Sequence, residues 1–224
     1  MAKKNNKFSK HVARIMDKNE GFFEKQGCEV WEEIINFIND TIGYVKYQLE
    51  LPDAKPPSER AMPFFTCHVL MPGCYSISIN LLAGGLPACY HELRLILESL
   101  AKCYLADCHY RELSSFEERL KLLQGNNKRE HELAEEFGNQ IGHKDSARKL
   151  WGKLSRQVHT HGYIDRIVRS IVESDYFPGY ALVPTEYAEE DRGALNDLHK
   201  YIREVRSLVK SAMEIMPTQS SAPR

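Results

Sequence analysis

Charge of one sign is what this chain most lacks. In 224 residues, 30 Lys and Arg stand against 31 Asp and Glu, a formal net charge of −1. A molecule so balanced has no global field for a polyanion, so any nucleic-acid surface must be local. Dense cysteine spacing is missing too. The six cysteines do not form a secreted disulfide framework, and the chain is long enough to fold without one, so reduced thiols inside a cell are expected. The longest apolar run, Pro63 to Leu86, is interrupted by Pro72, Gly73, Gly84 and Gly85, so no 18-residue membrane span is expected. Met1 to Lys10 is basic, but no apolar segment follows it as in a signal peptide. The expectation is a soluble cytoplasmic protein without a membrane partner.

Several chemistries are excluded by missing motifs. The chain has no P-loop, no dinucleotide fingerprint, no G-x-S-x-G and no H-E-x-x-H. None of the nine histidines has a glutamate three residues before it, which removes the di-iron bundle pattern. Cys67, His68, Cys74, Cys89 and His91, or Cys103, Cys108 and His109, lack the paired C-x-x-C of a zinc knuckle. These cysteines read as small hydrophobes, and neither metal nor cofactor is expected.

What is present is helical periodicity. Residues 1–20 are polar and Lys-rich and read as a mobile arm, with at most a short helix at His11 to Met16. From Glu24 to Leu49, Trp31, Ile34, Ile35, Ile38, Ile42, Val45 and Leu49 fall on one helical face. Three prolines then make residues 51–60 a loop. Ala61 to Cys74 fits a short strand or a buried loop, and a helix over Cys74 to Ala83 stops at Gly84-Gly85. Pro87 to Glu112 carries apolar residues around more than half its circumference, which marks a central helix. Ser115-Phe116-Glu117-Glu118 is a capping-box pattern that opens a helix ended by Gly125. Residues 128–140 form a surface helix with Leu133, Ala134, Phe137 and Ile141 inward. Tyr176 to Tyr187 reads as an ordered aromatic loop. Glu189 to Met216 is a helix with a Leu195-Leu198-Ile202-Val205-Val209-Ala212 stripe, ended by Pro217. The fold class is all-α: one domain of about six to eight helices over residues 21–216, with 217–224 a disordered tail.

The stretch from Lys144 to Glu173 is the candidate site. As a helix it turns Ala147, Leu150, Trp151, Leu154 and Val158 inward, with Arg148, Ser155 and His159 aligned on one flank. Arg156 lies further round, beside His159. Gly162 is a natural stop, which puts His161 at a helix C-terminus before the chain resumes as a helix over Tyr163 to Glu173. Seven Lys and Arg from Lys144 to Arg169 face only Asp145 and Asp165, a local excess suited to a phosphate backbone. On the central helix, Arg94 and Glu98 form an i,i+4 pair, and Asp107 sits within the apolar face as an acceptor for Arg148 or His159. In a functional role, Glu98 or Asp107 would orient the site histidine.

Arg156-Gln-Val-His-Thr-His161 resembles the R-X4-6-H signature of HEPN-domain ribonucleases. A second match, Arg192-X6-His199, lacks the basic helix end and the glycine break. Gln157 and Gly162 fit the family pattern of a polar residue after the arginine and a break after the histidine. LRLILE (Leu93 to Glu98) and LSRQVH (Leu154 to His159) together look like a group of helical prokaryotic proteins. The likeness covers about Gly84 to Glu173. It implies an all-α fold, a homodimer, an RNA partner, and metal-independent endoribonuclease activity of the toxin or phage-defence type. Arg156 and His161, with His159 nearby, would be catalytic. On an unbroken helix Arg156 and His161 would project about 140° apart, so that assignment needs the break at Gly162. The alternative is a helical scaffold with no chemistry, in which Pro63 to Cys74 and Tyr176 to Tyr187 bind an unidentified protein partner.

Overall fold

Apolar side chains around most of one helix require neighbours on most of its sides. That helix is α5 (Leu86–His109), buried at Leu86, Cys89, Leu93, Ile96, Leu97, Leu100, Cys103 and Tyr104, among others. The computed structural model describes residues 6–26, 29–50, 60–110, 113, 115–158 and 184–220. Around α5 lie α3 (Ala61–Phe65), α4 (Met71–Leu82), α6 (Phe116–Gly125), α7 (Glu130–Gln140), α8 (Ser146–Val158) and α9 (Arg192–Ser220). An outer layer is made by α1 (Asn6–Gln26), on α4, and α2 (Glu29–Glu50), on α4 and α9. No strand occurs among the described residues, and the protein is an all-α helical bundle.

Proline and glycine place the α4–α5 hairpin. Pro87 occupies the first turn of α5, where its missing N–H costs nothing. Gly84, at φ +80°, makes the turn, and a Cβ there would lie 2.3 Å from the Thr185 carbonyl oxygen. Gly73 lets the helices approach, since a Cβ would lie 2.9 Å from Ile96 Cδ1. Ser76 Oγ donates to Glu92 Oε1 across the pair at 3.0 Å.

Four segments differ from their sequence reading. Residues 6–20, expected as an arm, begin α1, because Ile15, Asn19 and Phe23 recur every four residues and are buried. Asn19 Nδ2 donates to the Leu82 carbonyl (2.7 Å) and the Thr185 carbonyl (2.9 Å), and Asn19 Oδ1 accepts from Tyr187 N–H (2.8 Å). The polarity of Asn19 hid the stripe, yet its hydrogen bonds tie α1 to two distant pieces of chain. Second, the long helix read from Glu24 divides into α1 and α2. In α2 the buried face is Val30, Ile34, Phe37, Ile38 and Thr41, with Ile35 outside.

Third, Ala61 to Cys74 is neither strand nor loop. Helix α3 runs through a π-helical turn (Thr66–Leu70) into α4. Met71 N–H donates to the Thr66 carbonyl, five residues back, and Pro72 enters at the start of α4. The widened turn is how a proline is accommodated in a continuous helical path. Ala61–Leu82 is thereby long and apolar enough to cross a membrane by length and composition; Phe65, Leu70, Cys74, Ile77 and Leu81 are buried in the bundle.

Fourth, α9 continues through Pro217 to Ser220. Proline removes one donor near its end, and the packed stripe Leu195, Leu198, Ile202, Val205, Val209 and Ala212 fixes the preceding turns. Arg206 joins α9 to α2, with Nε 2.7 Å from Asp40 Oδ2 and Nη1 2.9 Å from Glu33 Oε1. In α6 and α7 the helix bounds and buried faces match the reading: α7 buries Leu133, Ala134 and Phe137, and α6 starts after Ser115 and ends at Gly125. The Ser115 side chain makes no capping hydrogen bond. The loop at 51–59 and the helix at 163–173 lie outside the described residues, as does most of the 176–187 segment.

Candidate functional site

Helix α8 is built by the stripe Ala147, Leu150 and Leu154, all buried, with Trp151 and Val158 half-buried beside it. The stripe packs on α5 and α7 and turns Arg148, Lys149 and Arg156 outward. Arg156 is exposed on the last turn of α8. His159, His161 and Gly162, and with them the expected helix break, lie outside the described residues.

The flank of α8 is not one surface. Arg148 Nη1 pairs with Glu135 Oε2 at 2.7 Å in an exposed contact to α7. Ser155 is 6% exposed, and its Oγ has no hydrogen-bond partner among the described residues. The basic face is also partly neutralised. Lys153 Nζ lies 3.1 Å from Glu204 Oε1 on α9, and Lys149 Nζ lies 3.8 Å from Asp145 Oδ2.

On α5, Arg94 Nε donates to Glu98 Oε1 at 2.8 Å, one helical turn apart. The same oxygen accepts the Trp151 indole N–H at 2.8 Å, so Glu98 locks α8 to α5. The Arg94 guanidinium lies over the Trp151 ring, 5.3 Å from its centroid. His131 of α7 completes the group, its ring centroid 5.8 Å from that of Trp151. Arg94 and Glu98 are the pair expected from spacing, whereas Trp151 and His131, which join them to α8 and α7, are not expected as their partners. The signal was there in Trp151. An indole at the edge of an apolar stripe needs a partner for its N–H.

Asp107 is buried at 4% exposure and is an acceptor, but not for Arg148. Its Oδ1 accepts from Ala61 N–H (3.0 Å) and Arg119 Nη1 (2.7 Å), and its Oδ2 from Met62 N–H (2.9 Å). Both oxygens serve the start of α3 and the guanidinium of α6. Arg148 is held by Glu135 instead, and the histidines that Asp107 is expected to orient lie outside the described residues.

No family model matches the chain, and no curated protein or solved structure is significantly similar to it.

Among the described residues no three His, Cys, Asp or Glu side chains converge as metal ligands. Cys74, Cys89 and Cys103 are buried. Burial pushes the thiols of Cys74 and Cys103 up to about 12, and that of Cys89 higher. Such thiols stay protonated at neutral pH and are neither nucleophiles nor ready ligands. What the arrangement offers chemically is guanidinium. Arg156 is exposed at the end of α8, and Arg94 is stacked and clamped where α5 meets α8.

Proposed function

We propose that the chain is a HEPN-like protein that binds and cleaves RNA without a metal ion, of the toxin or phage-defence type, and acts as a homodimer. The observation that carries this reading is the place of Arg156, exposed on the last turn of a helix whose opposite face is buried against the central helix. Arg156 precedes His161 with the R-X4-H spacing. In this mechanism a histidine removes the 2′-hydroxyl proton, and the 2′-oxygen attacks the adjacent phosphorus. The bond to the 5′-oxygen breaks, that oxygen takes a proton, and a 2′,3′-cyclic phosphate remains. Arg156 holds the phosphoryl oxygens as negative charge develops on them.

A second reading is a helical scaffold without chemistry. It is favoured by the ion pairs of Arg148, Lys149 and Lys153, which reduce the net charge that α8 offers a phosphate backbone. It also draws on Tyr75 and Ile79, exposed one turn apart on α4. The experiment that separates the two is expression of the wild-type chain beside His161→Ala and His159→Ala, followed by growth and the integrity of cellular RNA. RNA loss with the wild type and not with His161→Ala supports the nuclease. Equal RNA integrity in all three cultures supports the scaffold.

A further inference from the structure

The group on Arg94 contains more than a helix-to-helix tie. Glu98 engages the guanidinium only through Nε, and the Trp151 ring fixes its plane. The two terminal Nη nitrogens have no hydrogen-bond partner among the described residues, and the side chain keeps 20% of its surface exposed. A guanidinium held flat, with its fork unused, is set for two parallel bonds to an oxyanion.

Ser155 is an independent observation. Trp151 bonds to Glu98, and α8 runs antiparallel to α7, whose Glu130 pairs with Lys102 and whose His131 meets Trp151. α7 runs parallel to α5, with Glu136 beside His109, so α8 is antiparallel to α5 as well. One turn after Trp151 is Ser155, and one turn before Glu98 is Arg94. The register therefore sets these two at the same level along the α5–α8 seam. A serine in a helix usually returns its hydroxyl to a backbone carbonyl. Here the Oγ is buried with no partner among the described residues, an unfavourable state for a hydroxyl. Arg156 follows it immediately and is exposed.

We propose that the Nη edge of Arg94 and the Oγ of Ser155 form a phosphate subsite at the α5–α8 seam, which takes a backbone phosphate of RNA next to the one held by Arg156. The subsite rests on the RNA reading above and names residues that the R-X4-6-H motif does not contain. Glu98 cancels the charge of Arg94, so recognition comes from bidentate hydrogen bonding and the serine hydroxyl rather than from net charge. Arg94 and Ser155 are binding residues here, and no proton passes through them.

The test uses the full chain carrying His161→Ala, so that a bound RNA survives. Its binding to a short fluorescein-labelled single-stranded RNA is followed by anisotropy, with uridine 5′-monophosphate and inorganic phosphate as competitors. Ser155→Ala should weaken RNA binding by roughly three- to tenfold while thermal stability is unchanged or raised, because it deletes an unsatisfied buried hydroxyl. Arg94→Lys keeps the charge but loses the fork, and should weaken binding roughly tenfold or more. Full affinity in Ser155→Ala overturns the subsite, and so does the absence of any binding to RNA or to the competitors. Direct phosphate binding by calorimetry that depends on Arg94 and Ser155, without RNA binding, would keep the oxyanion site but remove RNA as its source. RNA cleavage by the chain with His161 intact tests the nuclease separately, so either idea can fail alone.

Discussion

Asp107 and Arg119, twelve residues apart in the chain, meet at 2.7 Å inside the bundle with side chains 3% and 6% exposed. The same carboxylate caps the start of α3 through the Ala61 and Met62 N–H groups, and Arg119 also donates to the Leu113 carbonyl. Three segments are thereby held by one buried charge pair. Breaking such a pair leaves a charge in the interior without compensation. Asp107→Ala is expected to destabilise the protein by about 3–5 kcal/mol in urea unfolding. The double variant Asp107→Ala with Arg119→Met should recover part of that loss, because no charge is then stranded. Additive losses in the double variant would show that the pair is not coupled.

Asn19 is the second point at which distant segments depend on one side chain. It is 1% exposed and bonds to Leu82, Thr185 and Tyr187. Asn19→Ala removes the partners of two carbonyls and one N–H, and should cost about 2–4 kcal/mol at roughly 1 kcal/mol or slightly more per bond. A loss below about 1 kcal/mol would mean that water replaces the amide at this joint.

Two glycines should respond oppositely to alanine. At Gly84 the φ of +80° and the Thr185 carbonyl 2.3 Å from the added Cβ both oppose substitution. Gly84→Ala should destabilise by about 1–3 kcal/mol. Gly43 lies inside α2, exposed, with nothing within 4 Å of an added Cβ. Gly43→Ala should be neutral or stabilise by up to about 1 kcal/mol. The pair of denaturation curves checks this directly.

The cysteines make a chemical prediction. A thiol raised to about 12, as in Cys74 and Cys103, has only about one ten-thousandth of its population as thiolate near pH 8. Iodoacetamide at that pH should leave Cys74, Cys89 and Cys103 unmodified in the native protein and alkylate them in denaturant, as read by peptide mass mapping. Labelling of any of the three in the folded chain would contradict their burial.

How much of this was legible depends on where the information sits. The stripes of α5, α7, α8 and α9 are written in Leu, Ile, Val and Phe at three- and four-residue steps, and they give the all-α architecture directly. Helix α1 was not legible because its central inward residue is Asn19, whose partners are some sixty and some one hundred and sixty residues away. The path through Pro63 and Pro72 was not legible either, since a π-turn is a tertiary accommodation and leaves no periodic mark. At the candidate site, the Arg94–Glu98 spacing named a pair, but only packing brings Trp151 and His131 to it. Asp107 was marked as a buried acceptor by its place in an apolar face. Its partner Arg119 could not be chosen from sequence, because the packing of α6 on α5 decides it.

The proposed RNA cleavage by Arg156 and His161 can be measured with purified protein, single-stranded RNA and excess EDTA. The expected fragments end in 2′,3′-cyclic phosphate and 5′-hydroxyl, with the rate reduced by about a hundredfold or more in both Arg156→Ala and His161→Ala. Equal rates in the wild type and both variants, or no cleavage above the protein-free control, would contradict it.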